Sequence, residues 1–287
     1  MYQGYLTAGR KFSKDNSYFY FSESYCLGGG AIKIGEYYFV KIYIGTFNRL
    51  NDLFTKNMTL FDVPGFENIK EVNLPIITDF PINELMCQIC LHFTYYHEVA
   101  HLHQDSNFLV NELNEDHTTN AFDIERHVLE YDADIFASLS ICTHIYEYFD
   151  KWHTRKTIDD LEEITAILLS AILIRILLSP NIKIQFYTKD QSHPHWIIRM
   201  LKIIEVVITQ MVNLVKNKYN MIIPKIKLTE KSLDYTIILN NELGLGIEIG
   251  NIIEIMRSNS EAIDKYSKDL WKEVFAYEKS AFNKWNS

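Results

Sequence analysis

Apolar residues recur at helical spacing through most of the chain beyond Pro81, whereas before it they cluster at the density of strands. The segment AIKIGEYYFVKIYIG (31–45) is rich in β-branched and aromatic residues and follows three glycines, Gly28–Gly30, so it reads as a hairpin or a pair of strands. A short helix is expected over about 46–56, with Thr46 as its N-cap. From Pro81, which suits a helix start, the period changes. Taking 82–104 as helix, Met86, Cys90, Phe93, His97 and His101 fall 4, 3, 4 and 4 apart and form one stripe. Two histidines thus continue the side of the helix that faces inward.

Residues 105–119 are polar and read as a loop. Further helices are expected over about 121–149, over 158–179 up to Pro180, and over 195–217. The stretch 181–194 reads as a strand or extended connector, and YTIIL (235–239) as a strand before one or two terminal helices. The expected class is α+β, mainly α, with a small β element near the N-terminus. Three parts follow from this pattern: a β-rich 1–80, a helical core 81–220 and a mainly helical 221–287, joined in one compact unit.

Composition narrows the function classes. Hydrophobic residues make up 47% and charged residues 23%, ordinary values for a globular protein. The net charge of −9, without a dense Lys/Arg block, argues against nucleic acid as the partner. The first residues, MYQGYLTAGRKFSKDN, lack the apolar core of a secretory leader, so a reducing cytoplasmic setting with free thiols is expected. Cys87 and Cys90 form a CxxC with no second pair at zinc-ribbon spacing, and a place in the core is expected for both. ITAILLSAILIRILL (164–178) is about 15 residues against the roughly 20 that span a bilayer. Arg175 interrupts it and four acids precede it, so a buried helix is expected and no membrane partner. Neither Gly28–Gly30 nor Gly244, Gly246 and Gly250 sits in the context of a phosphate loop or dinucleotide fingerprint.

The stripe histidines belong to HEVAH (97–101), a match to HExxH. Four residues apart on a helix, His97 and His101 face the same way and can bind one metal ion. Glu98, rotated about 100° from His97, can reach a water on that ion without competing as a ligand. Zinc would lower that water's pKa toward ~7, leaving Glu98 to take its proton as general base.

A third ligand is needed. The metzincin pattern requires Gly at 104 and His at 107, where this chain has Gln104 and Asn107. Downstream, HVLEYDADIFAS (127–138) places Glu130 and Asp134 four apart, and Glu130, Ala133, Ala137 and Ile141 on an inward stripe. A glutamate facing a core is costly unless it is paired or binds a metal. Glu130 therefore reads as the third ligand, Asp134 as acceptor for a histidine's other N–H, and the two alanines as a route to close packing. Glu130 also reads as a solvated charge on an acidic helix, and His127 and Asp132 as competing ligands. His92 and His103 fall on other faces of their helix, and His117, His144 and His153 show no partner pattern.

A third element is SHPHWIIRM (192–200). It is readable as a polar turn opening an amphipathic helix. In the functional reading, His193 stands at a cleft mouth to hydrogen-bond a developing oxyanion, and Arg199 braces a carboxylate such as Asp134 or Glu98.

HEVAH, EYDAD (130–134) and SHPHWIIRM, in that order over about 105 residues, resemble the gluzincin metallopeptidases, most closely the CAAX-prenyl-protease/HtpX-like group. The resemblance implies a zincin-like helical core with His97, His101 and Glu130 holding Zn2+. It also implies Glu98 as catalytic base, Asp134 orienting a ligand histidine, and His193 and Arg199 supporting the site. The chain lacks the clear transmembrane helices of the membrane-bound members, so their substrates are not implied. In size and motif it is also similar to phage-exclusion peptidases of the Lit type. The expected activity is zinc-dependent cleavage of a protein or peptide substrate, with an activating or inhibiting protein partner possible. The alternative expectation is a binding or toxin-like module in which zinc is structural.

Overall fold

The computed structural model describes residues 16–57, 59–69, 81–106, 109, 122–153, 155–179, 183–247 and 249–286. It opens with strands β1 (Ser17–Ser22), β2 (Gly29–Ile34) and β3 (Tyr37–Tyr43) in the order β1-β3-β2. The expected hairpin is β2–β3, antiparallel with Gly29 opposite Ile42 and Ile34 opposite Tyr37. Gly35, at φ +60°, occupies the first position of its two-residue turn, where a type II′ turn requires glycine. β1 adds to the far side of β3 in parallel register, Ser17 opposite Tyr38. Phe19, Ala31, Val40 and Ile42 are buried on the sheet.

The chain runs from β3 directly into α1 (Ile44–Leu50), which loosens into a π-helical turn over Asn51–Thr55. Tyr43 occupies the N-cap, and Thr46, expected to cap, lies inside the helix. Its buried Oγ1 instead accepts from the Gly28 N–H at 2.6 Å and donates to the Gly28 carbonyl at 2.8 Å. This pins the glycine run at the entrance to β2.

The long helices are α2 (Ile82–Gln104), α3 (Ile124–Glu147), α4 (Ile158–Leu177), α5 (Trp196–Tyr219) and α6 (Lys225–Glu242). Three shorter ones follow: α7 (Ile249–Ser258), α8 (Ser260–Ala276) and α9 (Ala281–Asn286). The molecule is α+β, mainly α, with its small sheet at the N-terminal side. Pro81 is the N-cap of α2, Asp123 caps α3 through the Glu125 and Arg126 N–H groups, and Thr157 caps α4.

One further expectation fails. YTIIL (235–239) is helix within α6, because Tyr235 and Leu239 lie four apart and supply its buried face. Of the two readings of 181–194, the connector holds: the described residues 183–194 are bends with no strand. The expected loop over 105–119 lies largely outside the described residues, as does His117.

α2 is buried almost all round, between the sheet on one side and α3 and α4 on others. The apolar α4 is buried along nearly its whole length. Its leading acids are paired from α6: Lys227 with Glu162 at 2.6 Å, and Lys231 and Tyr235 with Glu163. No helix among the described residues is long and apolar enough to cross a membrane. Cys87, Cys90 and Cys142 are buried free thiols. A single apolar cluster runs from Phe19 in β1 to Ala281 in α9.

Replacing Thr46 by valine keeps its shape and strips the Gly28 N–H of its acceptor. The expected cost is about 1–3 kcal/mol of unfolding free energy. It should appear as a lower urea midpoint at unchanged slope.

Candidate metal centre

The packing of α2 on α3 brings the two separated motifs face to face. Ala133 and Ala137, both fully buried, add no bulk between the helices. His97 and His101 project from α2, one turn apart, toward Glu130 on α3. His97 Nε2 lies 3.2 Å from Glu130 Oε2, and His101 Nε2 lies 3.6 Å from Glu130 Oε1. One ligand atom from each of these three buried residues lies within 4.8 Å of the other two, so the group could hold a metal ion.

The surroundings decide which ring nitrogens are free to ligate. The Gln104 amide donates its N–H groups to the Leu129 carbonyl and to Asp132, at 2.8 and 2.9 Å. Its carbonyl oxygen is thereby turned to His101 Nδ1, 2.8 Å away, so Nδ1 carries the proton and Nε2 presents a lone pair. On His97, Nδ1 stands 3.1 Å from Asp134 Oδ1, a close but off-axis contact. The other side of Asp134 is held by Arg199, through Nε at 2.7 Å and Nη2 at 2.9 Å. Both imidazoles thus have an acceptor behind them and Nε2 facing Glu130, the outer support that metal-binding histidines use. Lone pairs converging on a carboxylate repel each other unless positive charge lies among them, and this donor set fits a divalent cation.

In the metal-free protein a proton supplies that charge. Burial works against an imidazolium at His97, but the Asp134 and Glu130 carboxylates outweigh it and raise the pKa to about 10. His101, with burial dominant and Glu130 only partly compensating, falls to about 4. Burial also works against ionised Glu130, yet His193, His97 and His101 hold it well below the usual carboxylate range. Asp134, buried beside Arg199 and His97, is likewise depressed.

The competing ligands point elsewhere. Asp132, two residues from Glu130, is taken up by other partners. It accepts from Gln104, from Ser280 Oγ and from the Ala281 and Phe282 N–H groups that open α9. His127 donates through Nε2 to the Gln191 carbonyl at 2.7 Å and accepts at Nδ1 from Tyr266 of α8. His193 does reach the cluster, its Nε2 3.4 Å from Glu130 Oε1 and its Nδ1 3.0 Å from Ser192 Oγ. His92 stacks on His144, and His153 sits by Asp160, both away from the centre.

Glu98 is buried beside the histidines and lines a narrow cleft with Phe93, Thr94, His97, Arg175, Ile176, Ser179 and Arg199. It also touches the sheet. A β-carbon on Gly29 would stand 2.8 Å from the Lys41 carbonyl oxygen and 3.0 Å from Glu98 Cγ, so glycine is what lets β2 approach this closely. Gln104 and Gly29 were not singled out as site residues in the sequence. Gln104's position three residues after His101 on one helix face is the signal that could have revealed it.

No family model matches this chain, and no curated protein or solved structure matches it.

Loading the metal-free protein with zinc near pH 7 must expel the His97 proton, since a pKa of about 10 leaves that ring charged there. His101, near 4, and Glu130 are already deprotonated. Calorimetric titration in buffers of differing ionisation enthalpy should register release of about one proton per zinc bound. No dependence on buffer would contradict the assignment of His97.

Proposed function

We propose that the protein is a zinc-dependent endopeptidase, with His97, His101 and Glu130 as metal ligands and Glu98 as general base. The observation that carries this reading is the position of Glu98. It is a buried carboxylate next to the ligand histidines, yet it lines the cleft that reaches them. A structural metal site closes its coordination with protein groups, whereas a catalytic one uses three and leaves a position for water. Two imidazoles and a carboxylate are the donor types of the catalytic class. The order of HEVAH, EYDAD and SHPHWIIRM, and its resemblance to gluzincins, supports the same reading.

Held by His97, His101 and Glu130, a zinc ion would supply Lewis acidity and would make a water acidic enough to lose a proton near neutral pH. Glu98 receives that proton and returns it to the leaving amine, which lets one group serve as base and then acid. Asp134 keeps the His97 ring in place, and Arg199 keeps Asp134 charged and fixed; neither needs to touch the substrate. His193, partly exposed at 23%, is the side chain suited to donate to an oxygen that gains charge. Among the described residues β2 has a ladder partner on one edge only. Its other edge suits an extended peptide added as a strand, and Glu98 packs against the face of that strand at Gly29.

Wild type and Glu98→Gln are both expected to bind about one zinc ion per chain. Against denatured, fluorescently labelled casein, the variant should lose at least about 10²-fold in rate. Equal cleavage by the two would remove Glu98 from the mechanism.

A further inference from the structure

Arg175 breaks the apolar run of α4, with buried Ile174 and Ile176 on either side of it. Nothing in the preceding reading uses it. Its Nε is shut off from solvent and has no hydrogen-bond partner, and among the described residues its guanidinium forms no ion pair. A charged group in that position is costly unless something binds it. Its side chain lines the cleft that holds His97 and Glu98. The other guanidinium of this cleft, Arg199, is engaged on two nitrogens by Asp134. The cleft therefore contains one cation committed to the scaffold and one that is not.

A place in the last turn of α4 is mildly favourable for any cation through the helix dipole. That effect requires neither a cleft-lining position nor a shielded Nε, and a lysine reaching into solvent would satisfy it equally. A planar fork of donors in a narrow cleft suits a carboxylate, which it can grip through two parallel hydrogen bonds. Glu98 in the same cleft would repel a carboxylate arriving alone, so an acidic substrate needs such a counter-charge.

We infer that Arg175 is the specificity-determining residue of this cleft and binds a substrate carboxylate next to the scissile bond. The inference rests on the peptidase reading for the word substrate, while the carboxylate site itself does not. The carboxylate can come from an Asp or Glu side chain or from the free end of a peptide, and both share the chemistry that Arg175 recognises.

The test uses four sets of internally quenched hexapeptide pools, with Glu or Gln fixed at each position in turn and the C-terminus either free or amidated. Cleavage is measured with zinc-loaded wild type, Arg175→Met and Arg175→Lys. Equilibrium binding of the same pools is measured by fluorescence on Glu98→Gln and on Glu98→Gln/Arg175→Met. Wild type should favour carboxylate-bearing pools by roughly 10- to 100-fold in kcat/KM, mainly through KM. Arg175→Met should abolish the preference and Arg175→Lys retain part of it. Binding should show the same preference and the same loss. Arg175→Met, having removed an unpaired charge whose Nε is shut off from solvent, should melt no lower than wild type. A preference that follows fixed Glu in amidated pools assigns the side chain, and one that follows the free terminus assigns the chain end.

A preference that survives Arg175→Met overturns the inference, as does its absence both from wild-type cleavage and from Glu98→Gln binding. A clear fall in melting temperature for Arg175→Met also overturns it, since that would make Arg175 a structural partner. If nothing is cleaved but acidic pools bind through Arg175, the peptidase reading falls and the carboxylate site stands. If all pools are cleaved alike, the reverse holds.

Discussion

The Glu130 carboxylate is held out of water with imidazole nitrogens of His97, His101 and His193 around it, all within 3.6 Å. An ionised carboxylate in such a place is unfavourable by several kcal/mol unless positive charge and hydrogen bonds replace its lost hydration. A proton on His97 meets that demand in the metal-free protein, and a divalent cation meets it better. The three residues that could hold a metal ion therefore form a group only because α2 and α3 press together, and the rest of the molecule serves that contact.

α3 acts as the hub. At about 100° per residue, its polar side chains radiate to different neighbours instead of lining one face. Glu130 meets α2, and Asp134 meets Arg199 of α5. Asp132 binds the first backbone N–H groups of α9, while His127 joins the connector before His193 to Tyr266 of α8. Two of these contacts lead back to the metal group. Asp132 orients Gln104, which fixes the His101 tautomer, and His127 holds the carbonyl of Gln191, two residues ahead of His193. The C-terminal helices are thus coupled to the ligand geometry although they contribute no ligand.

The sequence made the α2 and α3 halves of the centre legible because both are local patterns. HExxH places its histidines by helical pitch, and the ExxxD spacing places Glu130 and Asp134 in the same way, so only the pairing of the helices had to be supposed. Arg199 was readable as a brace for a carboxylate. What failed depends on contacts between distant residues. Thr46 looks like a cap in isolation, yet its hydroxyl is taken by Gly28, eighteen residues earlier. YTIIL has the β-branched and aromatic content of a strand, but Tyr235 is drawn to Glu163 and Leu239 packs inward, so tertiary contacts overrule local preference. β1 was hidden because a parallel partner separated from β3 by another strand leaves no turn signature.

The buried polar groups of this centre are tolerable only because a large apolar cluster surrounds them. α4 illustrates both sides of that balance. Its isoleucines and leucines from Leu161 to Leu177 are buried, each contributing about 1.5–3 kcal/mol on leaving water, and Glu162 and Glu163 are matched from α6. Arg175 alone breaks the pattern, on the wall of the same cleft as Glu98. Glu130, Asp132, Asp134 and Arg199 are each matched by a protein partner, whereas Arg175 is matched by none among the described residues. Scaffolds tolerate an unmatched charge chiefly where it acts, because elsewhere an apolar side chain of the same length packs more favourably. The exception in α4 therefore belongs to the cleft and its ligand, and the remainder of the helix belongs to the core.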